Sequence, residues 1–119
     1  MSFDISKSGL PKKILIGPFE HDVHFKDLGV ASDKPIFGVY CFEDLAVSFQ
    51  PGQVNKLFAV DSVLHELLHG IFRVNALHLE KMSVADSEEK IISVFATQLT
   101  QLLRSNPQFR KWLLKHAAA

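Results

Sequence analysis

Residues 54–74 read VNKLFAVDSVLHELLHGIFRV, and the spacing of the apolar side chains in this stretch decides the fold class. Placed at about 100° per residue, Leu57, Val60, Val63, Leu64, Leu67, Leu68, Ile71 and Val74 fall on one broad side, as in an amphipathic helix. His65 and His69 fall on the other side, with Glu66 close by.

Upstream of this helix the pattern is that of strands. Residues 36–42 are rich in aromatic and β-branched side chains, Glu43-Asp44 suits a tight turn, and residues 45–49 alternate apolar and small or polar. That pair predicts a hairpin, ended by Pro51-Gly52. Residues 13–17 and 23–25 predict two more strands around the Gly17-Pro18 turn. Downstream, residues 87–104 place Ile91, Ile92, Phe95, Ala96, Leu99, Leu102 and Leu103 on one helical stripe. Asn106-Pro107 reads as the cap and first position of a last helix carrying Phe109, Trp112 and Leu113. Strands followed by helices predict an α+β domain spanning residues 1–119.

Composition narrows the function classes. Hydrophobic residues make up 47% and charged residues 22%, an ordinary globular balance. Thirteen basic and thirteen acidic side chains cancel, so no net field favours nucleic acid or an anionic membrane, and neither is expected as a partner. The single cysteine, Cys41, excludes an intramolecular disulfide and a CxxC metal site, and its strand position suggests a small buried side chain. No run approaches the roughly 18 apolar residues of a membrane span. The run Ile14–Ile16 is too short for a signal peptide, so a cytoplasmic location is expected.

Residues 65–69 are His-Glu-Leu-Leu-His, an HExxH motif. Positions i and i+4 lie one turn apart on one helix face, so His65 and His69 can converge on one zinc ion. Glu66 projects beside them and can act as general base towards a metal-activated water. A catalytic zinc takes a third protein ligand. A metzincin would place a histidine at position 75, which is Asn75, so that subclass is excluded. His78 is one candidate. Glu88 and Glu89 are others, and Glu88 is favoured. It lies almost centrally on the stripe of Ile92, Phe95 and Leu99, where a carboxylate needs a partner. Glu89 also fits a capping box with Asp86. His21 and His24 are three apart on a strand and point to opposite faces, which argues against a joint metal site. Arg104, Arg110, Lys111 and Lys115 read as a solvated face near helix ends.

HELLHGIF at 65–72 followed by SEEKIISVFATQLTQLLRSNP at 87–107 resembles the small, often phage- or prophage-encoded zinc metallopeptidases. More loosely, it is similar to the gluzincins, in which a glutamate on the next helix completes the metal site. The resemblance covers residues 36–107. It implies a minimal zincin fold, a small antiparallel or mixed sheet packed on the HExxH helix with a second, glutamate-bearing helix behind. It also implies zinc held by His65, His69 and Glu88 or Glu89, with Glu66 as base, and hydrolysis of a peptide or protein substrate. Gluzincins add a tyrosine or histidine that steadies the oxyanion, for which Tyr40 and His78 are the candidates. Substrate is expected to lie along the hairpin edge as an added strand. The alternative is a non-catalytic binding or adaptor module with a structural zinc, and the shortness of the chain favours a partner protein or self-association that completes the cleft.

Overall fold

A computed structural model describes residues 2–75 and 84–118 of the chain, so His78 lies outside the described residues. Among the described residues eight strands precede three α-helices: β1 (Phe3–Asp4), β2 (Lys13–Ile16), β3 (Phe19–Phe25), β4 (Val30–Ala31), β5 (Lys34–Pro35), β6 (Gly38–Cys41), β7 (Ala46–Phe49), β8 (Gly52–Gln53), α1 (Lys56–Val74), α2 (Val84–Ser105) and α3 (Pro107–Ala117). The α+β class is therefore observed.

The main sheet has the order β2-β3-β7-β6. Both expected hairpins form, with Ile16 opposite Phe19 and Cys41 opposite Ala46. The hairpins join through a parallel β3–β7 pair, which makes the sheet mixed and leaves β6 at its end. Gly17, at φ +58°, supplies the left-handed residue that the β2–β3 turn requires.

One face of this sheet carries Ile14, Ile16, Val23, Val47 and Phe49 into a core shared with Val60, Val63, Leu67 and Ile71 of α1, Leu102 of α2, and Phe109 and Trp112 of α3. The buried side of α1 is rotated from the one the apolar spacing predicts. Leu57 and Leu68 are exposed, whereas Ala59, Ser62, Glu66 and Gly70 are buried. Small side chains explain the rotation, because they let the helix come down on β6. A Cβ at Gly70 would lie 2.7 Å from Ile16 and 2.9 Å from Tyr40.

The helix ends follow local chemistry. Asn55 caps α1 by accepting from the Phe58 amide at 2.8 Å. Asn106 occupies the cap position of α3 as expected, but its side chain works elsewhere. Its Oδ1 accepts from Leu15 N and its Nδ2 donates to Leu15 O, both at 2.8 Å, so the amide extends the edge of β2. Asp86 lies within α2 and therefore does not take the cap position that the capping box expected at 86–89 requires. Among the described residues no helix is long and apolar enough to cross a membrane.

Candidate metal centre

Helix α1 presents His65 and His69 on its solvent side and Glu66 on the flank turned towards β6. The two imidazoles stand at 72° to one another with ring centroids 4.8 Å apart, and their Nε2 atoms face each other at 3.2 Å. Ligands at the usual zinc–nitrogen distance of about 2.0–2.1 Å in a tetrahedron lie about 3.3–3.4 Å from one another. The pair therefore has the spacing of two corners of a zinc site. Glu66 Oε2 lies 3.9 Å from His65 Nε2, so the carboxylate stands beside the imidazole pair. His65, Glu66 and His69 are the one such group of metal-binding type among the described residues.

Glu66 is 7% exposed. Burial pushes its carboxyl above the ordinary range, and the neighbouring His65 and His69 act in the opposite direction. Its position depends on Gly38, since a Cβ there would lie 2.8 Å from Glu66 Cγ and 3.0 Å from Oε2. A glycine inside a strand often marks such a close approach.

The site opens into a cleft of about 350 Å3 whose far wall is Gly38, Val39 and Tyr40 of the end strand β6, with Arg73 at one end. Tyr40 is anchored from behind. His21 is fully buried, its Nδ1 is 3.0 Å from the Phe19 carbonyl, and its Nε2 is 2.7 Å from the Tyr40 hydroxyl. A carbonyl only accepts, so Nδ1 carries the proton, Nε2 is bare, and the Tyr40 hydroxyl donates to it. Burial holds the imidazole below its ordinary range against the opposing effect of the carbonyl, and pushes the Tyr40 phenol up to about 12. With its proton committed to His21, Tyr40 is a poor oxyanion donor in this arrangement.

The structure brings His65, Glu66, His69 and Tyr40 to one cleft. It does not bring Glu88 or Glu89 there: both are exposed on α2, and neither belongs to the His65–Glu66–His69 group. The desolvation argument for Glu88 thus loses its premise. The described approach of α2 to the end of α1 is at Phe95, whose ring centroid is 6.5 Å from that of Phe72. Glu88 is two turns away along α2, about 10 Å. His21 and His24 do face opposite ways, one buried and one exposed. Cys41 is only partly buried, because its thiol turns to the Asp44 and Glu43 carboxylates at 3.4 and 3.6 Å.

Comparison with protein-family models, curated proteins and solved structures yields no match. The chemistry of the site is carried by its own geometry.

Gly38, Gly70 and Arg73 were not singled out by the sequence. Their signals are a glycine within a strand pattern, a glycine within a helix pattern directly after His69, and an arginine four residues after His69.

Proposed function

We propose that this chain is a zinc-dependent peptidase of minimal zincin type. The observation that carries the reading is the pair of Nε2 atoms 3.2 Å apart, flanked by a buried carboxylate and set beside the end strand of a sheet. His65 and His69 hold the metal. When bound, the ion supplies Lewis acidity and an activated solvent molecule. Glu66, confined by Gly38, accepts a proton at Oε2 and returns it to the leaving amine. β6 offers its free edge to an extended peptide, which then lies in the cleft between the strand and α1. The third ligand comes from outside the described cluster, and Glu88 of α2 is the residue proposed for it.

A second reading is supported by a specific observation. The described cluster draws both imidazoles and its carboxylate from one helix, with no ligand from another element. A non-catalytic module that binds zinc at a protein–protein contact, with the partner supplying the missing ligand, fits that geometry.

Metal content and peptide hydrolysis of the wild type and Glu66→Gln separate the two. The peptidase reading expects one zinc per chain in both and hydrolysis in the wild type alone. Zinc in both with no hydrolysis by either supports the binding module.

A further inference from the structure

Arg73 follows His69 by one helical turn and lines the same cleft. Among the described residues that line it, Arg73 is the one with a permanent positive charge. Its guanidinium lies over the Phe42 ring at 5.4 Å, and its Nη2 is 3.6 Å from Glu43 Oε1. Both partners sit just past the end of β6, so the cation is drawn to one end of the cleft. Lying over a ring occupies a face of the guanidinium and leaves its in-plane N–H groups available. The Glu43 contact is longer than a hydrogen bond, and both side chains are mostly exposed, at 54% and 73%. Such a pair is weak and easily exchanged for a better placed carboxylate.

We propose that Arg73 is a specificity-determining residue that binds a carboxylate of the peptide substrate, so that the preferred substrates are acidic next to the scissile bond or end there in a free C-terminus. The inference rests on the peptidase reading. Side chains four apart on a helix are about 5–6 Å apart at Cβ, and an extended peptide advances about 3.3–3.4 Å per residue. A substrate group held by Arg73, whose guanidinium extends from its Cβ towards Phe42, therefore belongs to a residue within a few positions of the bond that faces the His65–His69 pair. Within the cleft the Tyr40 hydroxyl is committed to His21 and Glu66 repels a carboxylate. The competing attraction is that of a metal held by His65 and His69, and the Arg73 variants distinguish the two.

The test uses four matched pools of random decapeptides: rich in Asp and Glu or in Asn and Gln, each with a free C-terminal carboxylate or a carboxamide. Cleavage by the zinc-loaded wild type and retention by zinc-loaded Glu66→Gln are read by mass spectrometry. The expected result is a preference of about tenfold or more for the pool carrying the carboxylate that Arg73 reads. Preference by side chain identifies an internal acidic residue, and preference by terminus identifies a C-terminal carboxylate. In the Arg73→Gln background the ratio falls to about one, and Arg73→Lys restores part of it, as expected when the charge is kept but the fork is lost. Equal cleavage and retention of all four pools by the wild type overturns the Arg73 subsite and leaves the peptidase reading standing. An undiminished ratio in Arg73→Gln does the same. Neither retention nor cleavage of any pool overturns both.

Discussion

Tyr40 stands between two histidine sites that are built in opposite ways: it is bonded to one and lines a cleft with the other. Behind it, His21 is fully buried, and both of its ring nitrogens are satisfied by protein, one by the Phe19 carbonyl and one by the Tyr40 hydroxyl. In front, His65 and His69 are exposed, with their Nε2 atoms 3.2 Å apart and Glu66 Oε2 3.9 Å from that of His65. A buried imidazole with two fixed partners has one tautomer and nothing left to offer a ligand. At 3.2 Å the two exposed imidazoles share one proton between their Nε2 atoms, and a cation that replaces that proton meets both lone pairs at one point. The first site serves the framework, and the second is the one to which the proposed chemistry is assigned, although both consist of the same side chain.

The largest effect that would sharpen this contrast is on turnover. Glu66→Gln keeps the shape of the side chain but removes the base, and a loss of hydrolysis of about 10²- to 10⁴-fold is expected with zinc retained, read by steady-state kinetics beside metal analysis. The opposite signature is expected behind Tyr40. His21→Ala opens a buried space and strips two hydrogen bonds, so a stability loss of about 2–4 kcal/mol is expected in denaturant titration, with zinc stoichiometry unchanged. Zinc loss in that variant would break the contrast.

The two glycines that bring β6 onto α1 give smaller effects of different kinds. At Gly70 the added methyl meets Ile16 and Tyr40, both well packed, and Gly70→Ala should cost about 1–3 kcal/mol of stability. At Gly38 the methyl meets the flexible end of Glu66. Gly38→Ala should therefore affect stability less and hydrolysis more, because it displaces the base. Equal stability losses in the two variants would contradict this division.

The smallest effect concerns pH. His21 has its folded pKa below its unfolded value of 6.5, so the fold disfavours its protonation. The unfolded chain then binds more protons, and stability falls as the pH drops through about 6.5 towards the lower folded value. Thermal melts of the wild type should decline over that window more steeply than those of His21→Gln, which cannot titrate. Parallel curves would remove His21 as the source.

Much of this could be read from the chain. The apolar period of 54–74, the hairpin at 36–49 and the Asn106-Pro107 step each rest on contacts a few residues apart, and each element is present. The convergence of His65 and His69 was legible for the same reason, since helix geometry alone places them together. Three features were not. The rotation of α1 depends on partners from other elements, namely Ile16 and Tyr40 beneath Gly70, Gly38 beside Glu66 and Gln53 beside Ser62. The His21–Tyr40 bond crosses β7 through a sheet order that no local pattern encodes. Glu88 sits on the stripe that helical spacing predicts, yet it is exposed, as is Ile92 one turn further on at 54%. Periodicity gives the apolar face of a helix, but not how much of that face is covered.

The central claim is that the His65–His69 pair is a metal site. Titration of metal-free protein with zinc, followed by calorimetry, tests it most directly when the wild type is compared with the His65→Ala/His69→Ala double variant. The account predicts one zinc per wild-type chain and none at that stoichiometry in the double variant, with the unliganded proteins of nearly equal stability because both side chains are exposed. Equal zinc uptake by the two proteins, or none by the wild type, would contradict it.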